Sequence, residues 1–159
     1  MKEALRHLPW PVTLIGTYQE GRHNLMTASW VSQVSFQPPL IMVSVAPERY
    51  TYQALMATRE FAVSILAPDQ AEIAQFCGER SGREVDKVKA LNVKVVPPQE
   101  IKVPLLADCI ANIECRVVAH HPAGDHVIFI GEVVASRVQR PEERPLLMKD
   151  WRWGVYQPL

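Results

Sequence analysis

The chain has too few cysteines, in the wrong spacing, for a disulfide framework or a zinc module. Cys77, Cys109 and Cys115 make an odd number, and none sits in a C-x-x-C pair. Such thiols fit a reduced compartment, each as a small buried apolar group. The chain also lacks an excess of one charge. Seventeen Lys and Arg face seventeen Asp and Glu, with no long basic run. A nucleic-acid partner is therefore not expected. No apolar run approaches the length of a membrane-spanning helix, so a membrane is not expected either. The opening MKEALRHLPWPVTLIG is broken by charges and prolines and lacks the layout of a secretory leader. The cytoplasm is the expected address. Repeats, low-complexity stretches and interdomain linkers are absent as well. With 159 residues, 48% of them hydrophobic, one domain spanning 1–159 is expected.

What is present is a chain cut into short segments by thirteen prolines and seven glycines. Val12 to Thr17 reads as a strand, and Gln19 to His23, with Gly21, as a turn. One or two strands follow up to Phe36, then a proline break, then a strand from Leu40 to Ala46. Glu60 to Leu66 is another strand. Ile110 to His120 alternates Ile113, Cys115, Val117 and Ala119 against Asn112, Glu114, Arg116 and Val118. His126 to Val138 is long enough to need a bend, and Gly131 is a natural bulge. Residues 121–125 read as the hairpin link. Helices are predicted over Thr51–Thr58, capped by Thr51, and over Asp69–Phe76, capped by Asp69; Glu79–Lys89 reads as a charged loop with a helical turn. This pattern predicts a mainly β (α+β) protein, a small closed barrel with two or three helices outside it.

Four stretches stand out chemically. Asn24 to Val45, NLMTASWVSQVSFQPPLIMVSV, is apolar yet studded with small hydroxyls, which face either water or a ligand. APERYTYQAL places Arg49 and Thr51 where a strand gives way to a helix. That is either an ordinary cap or a phosphate pocket built from free N–H groups and a guanidinium. His120 and His121 are adjacent on a strand and point to opposite faces, so they do not share a metal, and no metal site is expected. His126 is either a hairpin-edge histidine or a polar group at a barrel rim. Trp151, Trp153 and Tyr156 pack a core edge, cover a ligand or fill an interface. No nucleophile elbow surrounds Ser29, and nothing beside Cys77 activates its thiol.

The order of these pieces carries a resemblance. GT…G-x-x-N-x-MTASW-x-S-x-VSF-x-PPL-x-x-VSV is followed by R-x-T, EFAVSIL, G-x-x-SGR-x-x-DK, GDHVIFIGEV and PLL…WRWGVYQPL. From about Pro11 to Leu159 it resembles the flavin reductase-like family of FMN-binding split barrels, closest to the flavoredoxin-type branch. The resemblance implies FMN held at a homodimer interface and reduced by NADH or NADPH, with the electrons passed to flavin or a downstream acceptor. The alternative is a non-enzymatic electron carrier reduced by a partner protein. It further implies that Asn24, Met26, Thr27, Ala28, Ser29, Trp30, Ser32, Gln33 and Val34 line the isoalloxazine, with Ser44 and Ala46 also binding the cofactor. Arg49 and Thr51 would clamp the phosphate, and the loop with Asp86 and Lys87 would close over it. His126 would lie near the flavin as the candidate catalytic residue, and Trp153 with the other terminal aromatics would complete the pocket or the dimer. The chain departs from many members in having Gln37 before the prolines. A shared pocket also suits a barrel too small to enclose a whole flavin.

Overall fold

The computed structural model describes residues 2–159. In chain order the elements are α1 (Lys2–Leu5), β1 (Trp10–Pro11), β2 (Thr13–Gln19), β3 (Arg22–Ala28), β4 (Val31–Phe36), β5 (Pro39–Val45), α2 (Tyr50–Thr58), β6 (Glu60–Ile65), a 3-10 turn (Pro68–Gln70), α3 (Ala71–Glu79), α4 (Lys87–Ala90), β7 (Val95–Val96), β8 (Leu105–Leu106), β9 (Ala111–Ala123), β10 (His126–Val138), β11 (Leu146–Lys149) and β12 (Arg152–Val155).

Seven strands form one antiparallel sheet in the order β3-β2-β6-β9-β10-β5-β4. β2 and β3 turn tightly because Glu20 and Gly21 both take positive φ, the twist-compatible two-residue hairpin. β4 and β5 turn at Gln37–Pro38, whose peptide bond is cis. The sheet rolls around one core of Ile15, Val43, Phe61, Val63, Cys115 and Phe129, against which Met26 and Ala28 of β3 and Val31 of β4 also pack. The end strands β3 and β4 do not pair, so the barrel is split there rather than closed. A second core of Val12, Leu14, Leu25, Leu66, Ala74 and Cys77 seats α3 on the outer face of β2 and β3. The C-terminal hairpin β11–β12 extends β1 into a three-stranded sheet. Leu146 ties it to the main body, accepting from the Val12 N–H and donating to the Leu66 carbonyl.

Several local expectations give way to tertiary contacts. Helix α2 begins at Tyr50, with Arg49 in the N-cap position, so Thr51 lies inside the first turn and does not cap. Asp69 lies in the 3-10 turn, and its carboxylate receives the Arg140 guanidinium at 3.0 Å instead of capping α3. The β9–β10 strands run on to Ala123 and His126, shortening the link to Gly124 and Asp125. The polar face of β9 is solvated only in part: Arg116 and Val118 are exposed, but its first half is not. Asn112 and Glu114 are fully covered, because residues 94–106 fold over that face. The Glu114 carboxylate accepts from the backbone N–H groups of Gln99, Glu100 and Ile101, replacing the water it gave up. No described helix is long and apolar enough to cross a membrane.

The bend in β10 is borne out at Gly131, where the register shifts against β9. A Cβ there would sit 2.5 Å from the Phe61 ring and 2.9 Å from the Cys115 Cβ. Phe61 is fully buried and has nowhere to retreat. Gly131→Ala is therefore expected to destabilise the fold by about 1–3 kcal/mol, read as a lower urea midpoint at unchanged slope. An unchanged midpoint would show that the bulge is not sterically required.

Candidate functional site

Two cavities open beside the split. The larger, about 480 Å³, is walled by Met26, Thr27, Ala28, Ser29 and Trp30 from β3 and its exit, and by Ser44 and Ala46 from the end of β5. Gln75, Gly78 and Glu79 of α3 and the aromatic residues of the C-terminal hairpin complete it. The smaller, about 300 Å³, is lined by Asn24, Thr51, Cys77, Lys87 and the segment 80–84. Met26 and Arg49 belong to both, so the two cavities meet at those side chains. An elongated ligand with one apolar planar end and one charged end fits this layout.

The larger cavity is aromatic. Trp10 meets Trp30 edge-on at 6.4 Å and Trp151 at 6.0 Å, and Trp30 lies 4.8 Å from the His126 ring. Trp151 sits in a hairpin turn where it and Asp150 both take positive φ, a costly conformation for a bulky residue. His126 Nδ1 is 2.7 Å from Asp125 Oδ1, a contact that lowers the Asp125 carboxyl below its usual range. With Nδ1 engaged, Nε2 is the nitrogen left for other partners.

The smaller cavity is cationic, and its shape depends on packing. Asn24 Nδ2 donates to Thr51 Oγ1 at 3.2 Å, and both residues are buried. A Cβ on Gly82 would lie 2.3 Å from Asn24 Oδ1 and 2.7 Å from the Tyr50 ring. Only glycine lets segment 80–84 come this close. Lys87 is 2% exposed, and its Nζ donates to the carbonyls of Leu25 and Cys77 at 2.8 Å each. Asp86 caps the short helix that places it, accepting from the Lys89 N–H. Burial pushes the Lys87 ammonium below its ordinary pKa; proximity to Cys77 opposes the shift, and the Arg49 guanidinium adds to it. Among the described residues, Lys87, Arg49, Arg80 and Arg83 form no ion pair with a carboxylate. A buried cation without a counter-charge is costly, and an anion supplied from solution would offset that cost.

Most of the residues singled out in the sequence meet here. Met26, Thr27, Ala28, Ser29, Trp30, Ser44, Ala46, Arg49, His126 and Trp153 line the first cavity, and Asn24, Thr51 and Lys87 the second. Ser32, Gln33 and Val34 do not. They lie on the edge strand β4, where the side chains of Ser32 and Gln33 bond only within the strand. Thr27 spends its hydroxyl on the Ala74 carbonyl, tying β3 to α3. Trp10, Met148 and the α3 residues were missed. No local signal marks them, because they reach the cavity only through the pairing of β1 with β11 and the docking of α3. His120 and His121 gather no ligand set: among the described residues no group of three or more His, Cys, Asp or Glu is arranged to hold a metal.

A model of the flavin reductase like domain matches residues 5–155. The chain belongs to the flavin reductase-like family. An NADH-dependent FAD reductase of Streptomyces globisporus is 32% identical over 92% of this chain and 78% of that protein. An NADH:riboflavin 5'-phosphate oxidoreductase of Streptomyces pristinaespiralis is also 32% identical, over 92% and 81%. Among solved structures, the flavoredoxin of Desulfovibrio vulgaris superposes with a TM-score of 0.86 at 26% identity, covering 95% of this chain and 88% of that one. Against three uncharacterised archaeal relatives, at 34–36% identity, the chain spans only 52–64% of their length. The family's split-barrel fold is the fold seen here.

The cationic cavity yields a prediction independent of any organic ligand. Inorganic phosphate is expected to raise the melting temperature of the parent protein, by mass action on a folded-state site. Lys87→Met should remove that upshift, at a stability cost of about 1–3 kcal/mol for leaving the Leu25 and Cys77 carbonyls without their donor. An undiminished upshift in the variant would place the anion elsewhere.

Proposed function

We propose that this protein is an NAD(P)H:flavin oxidoreductase that binds the FMN moiety across the two cavities, with the isoalloxazine in the aromatic one and the ribityl phosphate in the cationic one. The observation that carries the reading is the junction at Met26 and Arg49, which joins an apolar slot to an anion site holding a buried, unneutralised Lys87. The relatives named as flavin reductases support it. Bound flavin supplies the redox chemistry by accepting a hydride from a nicotinamide. The chain's residues then have defined tasks. Arg49 and Lys87 hold the phosphate. Ala28, Ser29, Ser44 and Ala46 keep the slot open for a flat ring. His126, held by Asp125 beside Trp30, presents a nitrogen for hydrogen bonding at the mouth where a nicotinamide must enter. No proton-abstracting triad is needed, so the absence of one from the cavity lining is no obstacle.

The free edge β4 supports a homodimer as part of the same proposal. Phe36 is 89% exposed and Val34 is exposed beside it, on a strand with one unpaired side. Natural proteins cover such edges. A second copy seated here would bury Phe36 and bring Ser32, Gln33 and Val34 toward a neighbour's cavity.

The purified protein, loaded with FMN and mixed anaerobically with NADH or NADPH, is expected to lose its visible flavin absorption as the flavin takes up the hydride. His126→Ala should slow bleaching more than tenfold with FMN affinity within threefold of the parent, roughly the loss of one positioned hydrogen bond. Tight FMN binding without bleaching by either donor would assign the electron-carrier role instead. No flavin binding at all would refute the proposal.

In sedimentation the parent is expected to run as a dimer and Phe36→Asp as a monomer. A monomeric parent would remove the dimer from the proposal.

A further inference from the structure

NADH and NADPH carry the same nicotinamide and differ only at the adenosine ribose, which bears a hydroxyl in one and a phosphate in the other. A residue that chooses between them presents charge to that ribose. The α3 wall of the larger cavity holds such a residue. Among the described residues lining that cavity, Glu79 is the one carboxylate. Arg49 is its one permanent cation, and Arg49 also lines the smaller cavity. Glu79 stands where helix energetics disfavour it. It is the last residue of α3, whose final turn holds no basic residue, so its carboxylate meets the negative end of the helix dipole. Arg80 follows directly, but its guanidinium lies 4.7 Å over the Phe76 ring. Among the described residues no cation pairs with Glu79. Its Oε1 accepts from Gln75 Nε2 at 2.9 Å, one turn earlier on the same helix. That bond aims the carboxylate and leaves Oε2 open to a ligand.

Gln75 and Glu79 are both exposed, so they stand at the rim of the cavity rather than on its floor. The rest of the exposed rim is aromatic at Trp30, Trp151 and Trp153, and Gly78 leaves space beside the carboxylate. A nicotinamide that reaches the ring slot leaves the adenosine half of its dinucleotide at this rim. Flat rings suit the tryptophans, and sugar hydroxyls suit a carboxylate, which only accepts hydrogen bonds. The open Glu79 oxygen accepts from a ribose hydroxyl, and its charge repels a phosphate in the same place. We propose that Glu79, aimed by Gln75, selects the electron donor: it accepts from the adenosine ribose of NADH and turns NADPH away. This deepens the oxidoreductase reading above and rests on it.

The test is steady-state kinetics with NADH and with NADPH, at saturating FMN, on the parent, Glu79→Gln and Glu79→Arg. FMN affinity and melting temperature are measured on each. The parent is expected to favour NADH roughly tenfold in kcat/KM, the gain from one charge-assisted hydrogen bond. Glu79→Gln keeps the side-chain shape and removes the charge. It should shrink the preference to about threefold or less, with KM rising for NADH and falling for NADPH. Glu79→Arg should invert the preference, and added salt should narrow it in the parent by screening. A purely structural Glu79 would shift the melting temperature and leave the donor ratio alone. Equal use of both donors by the parent overturns the proposal. So does an equal rise in KM for both donors in Glu79→Gln, which would assign Glu79 to the nicotinamide-side ribose that they share. Weakened FMN binding at an unchanged donor ratio also overturns it, assigning the carboxylate to the ribityl chain. If the parent binds no flavin, or neither donor reduces the flavin it binds, the oxidoreductase reading falls and the selection with it. If flavin is reduced and neither variant changes the donor ratio, only the selection falls.

Discussion

The ammonium of Lys87 is the interaction around which the cationic end of the site is organised. Its two hydrogen bonds go to carbonyls on β3 and α3, so one buried side chain joins the sheet, the helix and its own loop. Those carbonyls take two of its three protons and leave its charge uncompensated. The fold holds a buried positive charge whose natural complement is an anion from outside, and the exposed Arg49 guanidinium adds to the positive field around it. The close approach of segment 80–84, the glycine that permits it and the buried Asn24–Thr51 bond all serve to keep this polar pocket shaped in a region where an apolar core would be cheaper.

The aromatic cavity is built on a different principle. Its walls come from four places in the chain: β3, the end of β5, α3, and the sheet formed by β1 with the terminal hairpin. Trp10 and Trp151 meet only because β1 pairs with β11, and the left-handed turn at Asp150 and Trp151 is tolerated where that contact holds it. The site thus depends on the two chain ends finding each other, with Leu146 bonded to both Val12 and Leu66.

Much of this was legible before any coordinates. Alternation marked β9 and β10, and Gly131 marked their bend, because a period of two and a bulge are local properties of the backbone. The hydroxyl-rich run at Asn24 to Val45 divides at Trp30. Asn24, Met26 to Trp30 and, at the far end, Ser44 face the cavities, whereas Ser32 to Val34 lies on the sheet edge. The same small polar residues suit both a ligand wall and a solvated edge, so composition did not separate them. The two cap assignments failed for a related reason. Thr51 and Asp69 have the right chemistry for caps, but a buried Asn24 and a nearby Arg140 offered them better partners.

By itself the sequence determined the long strands of the main sheet, the family and which polar side chains were available, since these follow from periodicity, turn chemistry and ordered motifs. Only the tertiary structure decided that the split falls between β3 and β4, that Asn112 and Glu114 are covered rather than solvated, and that Lys87 is buried without a counter-ion. Those outcomes depend on which distant segments pack together. Burial and charge compensation are properties of a neighbourhood, and the neighbourhood of Lys87 is assembled from β3, α2, α3 and the segment that leads into its own helix.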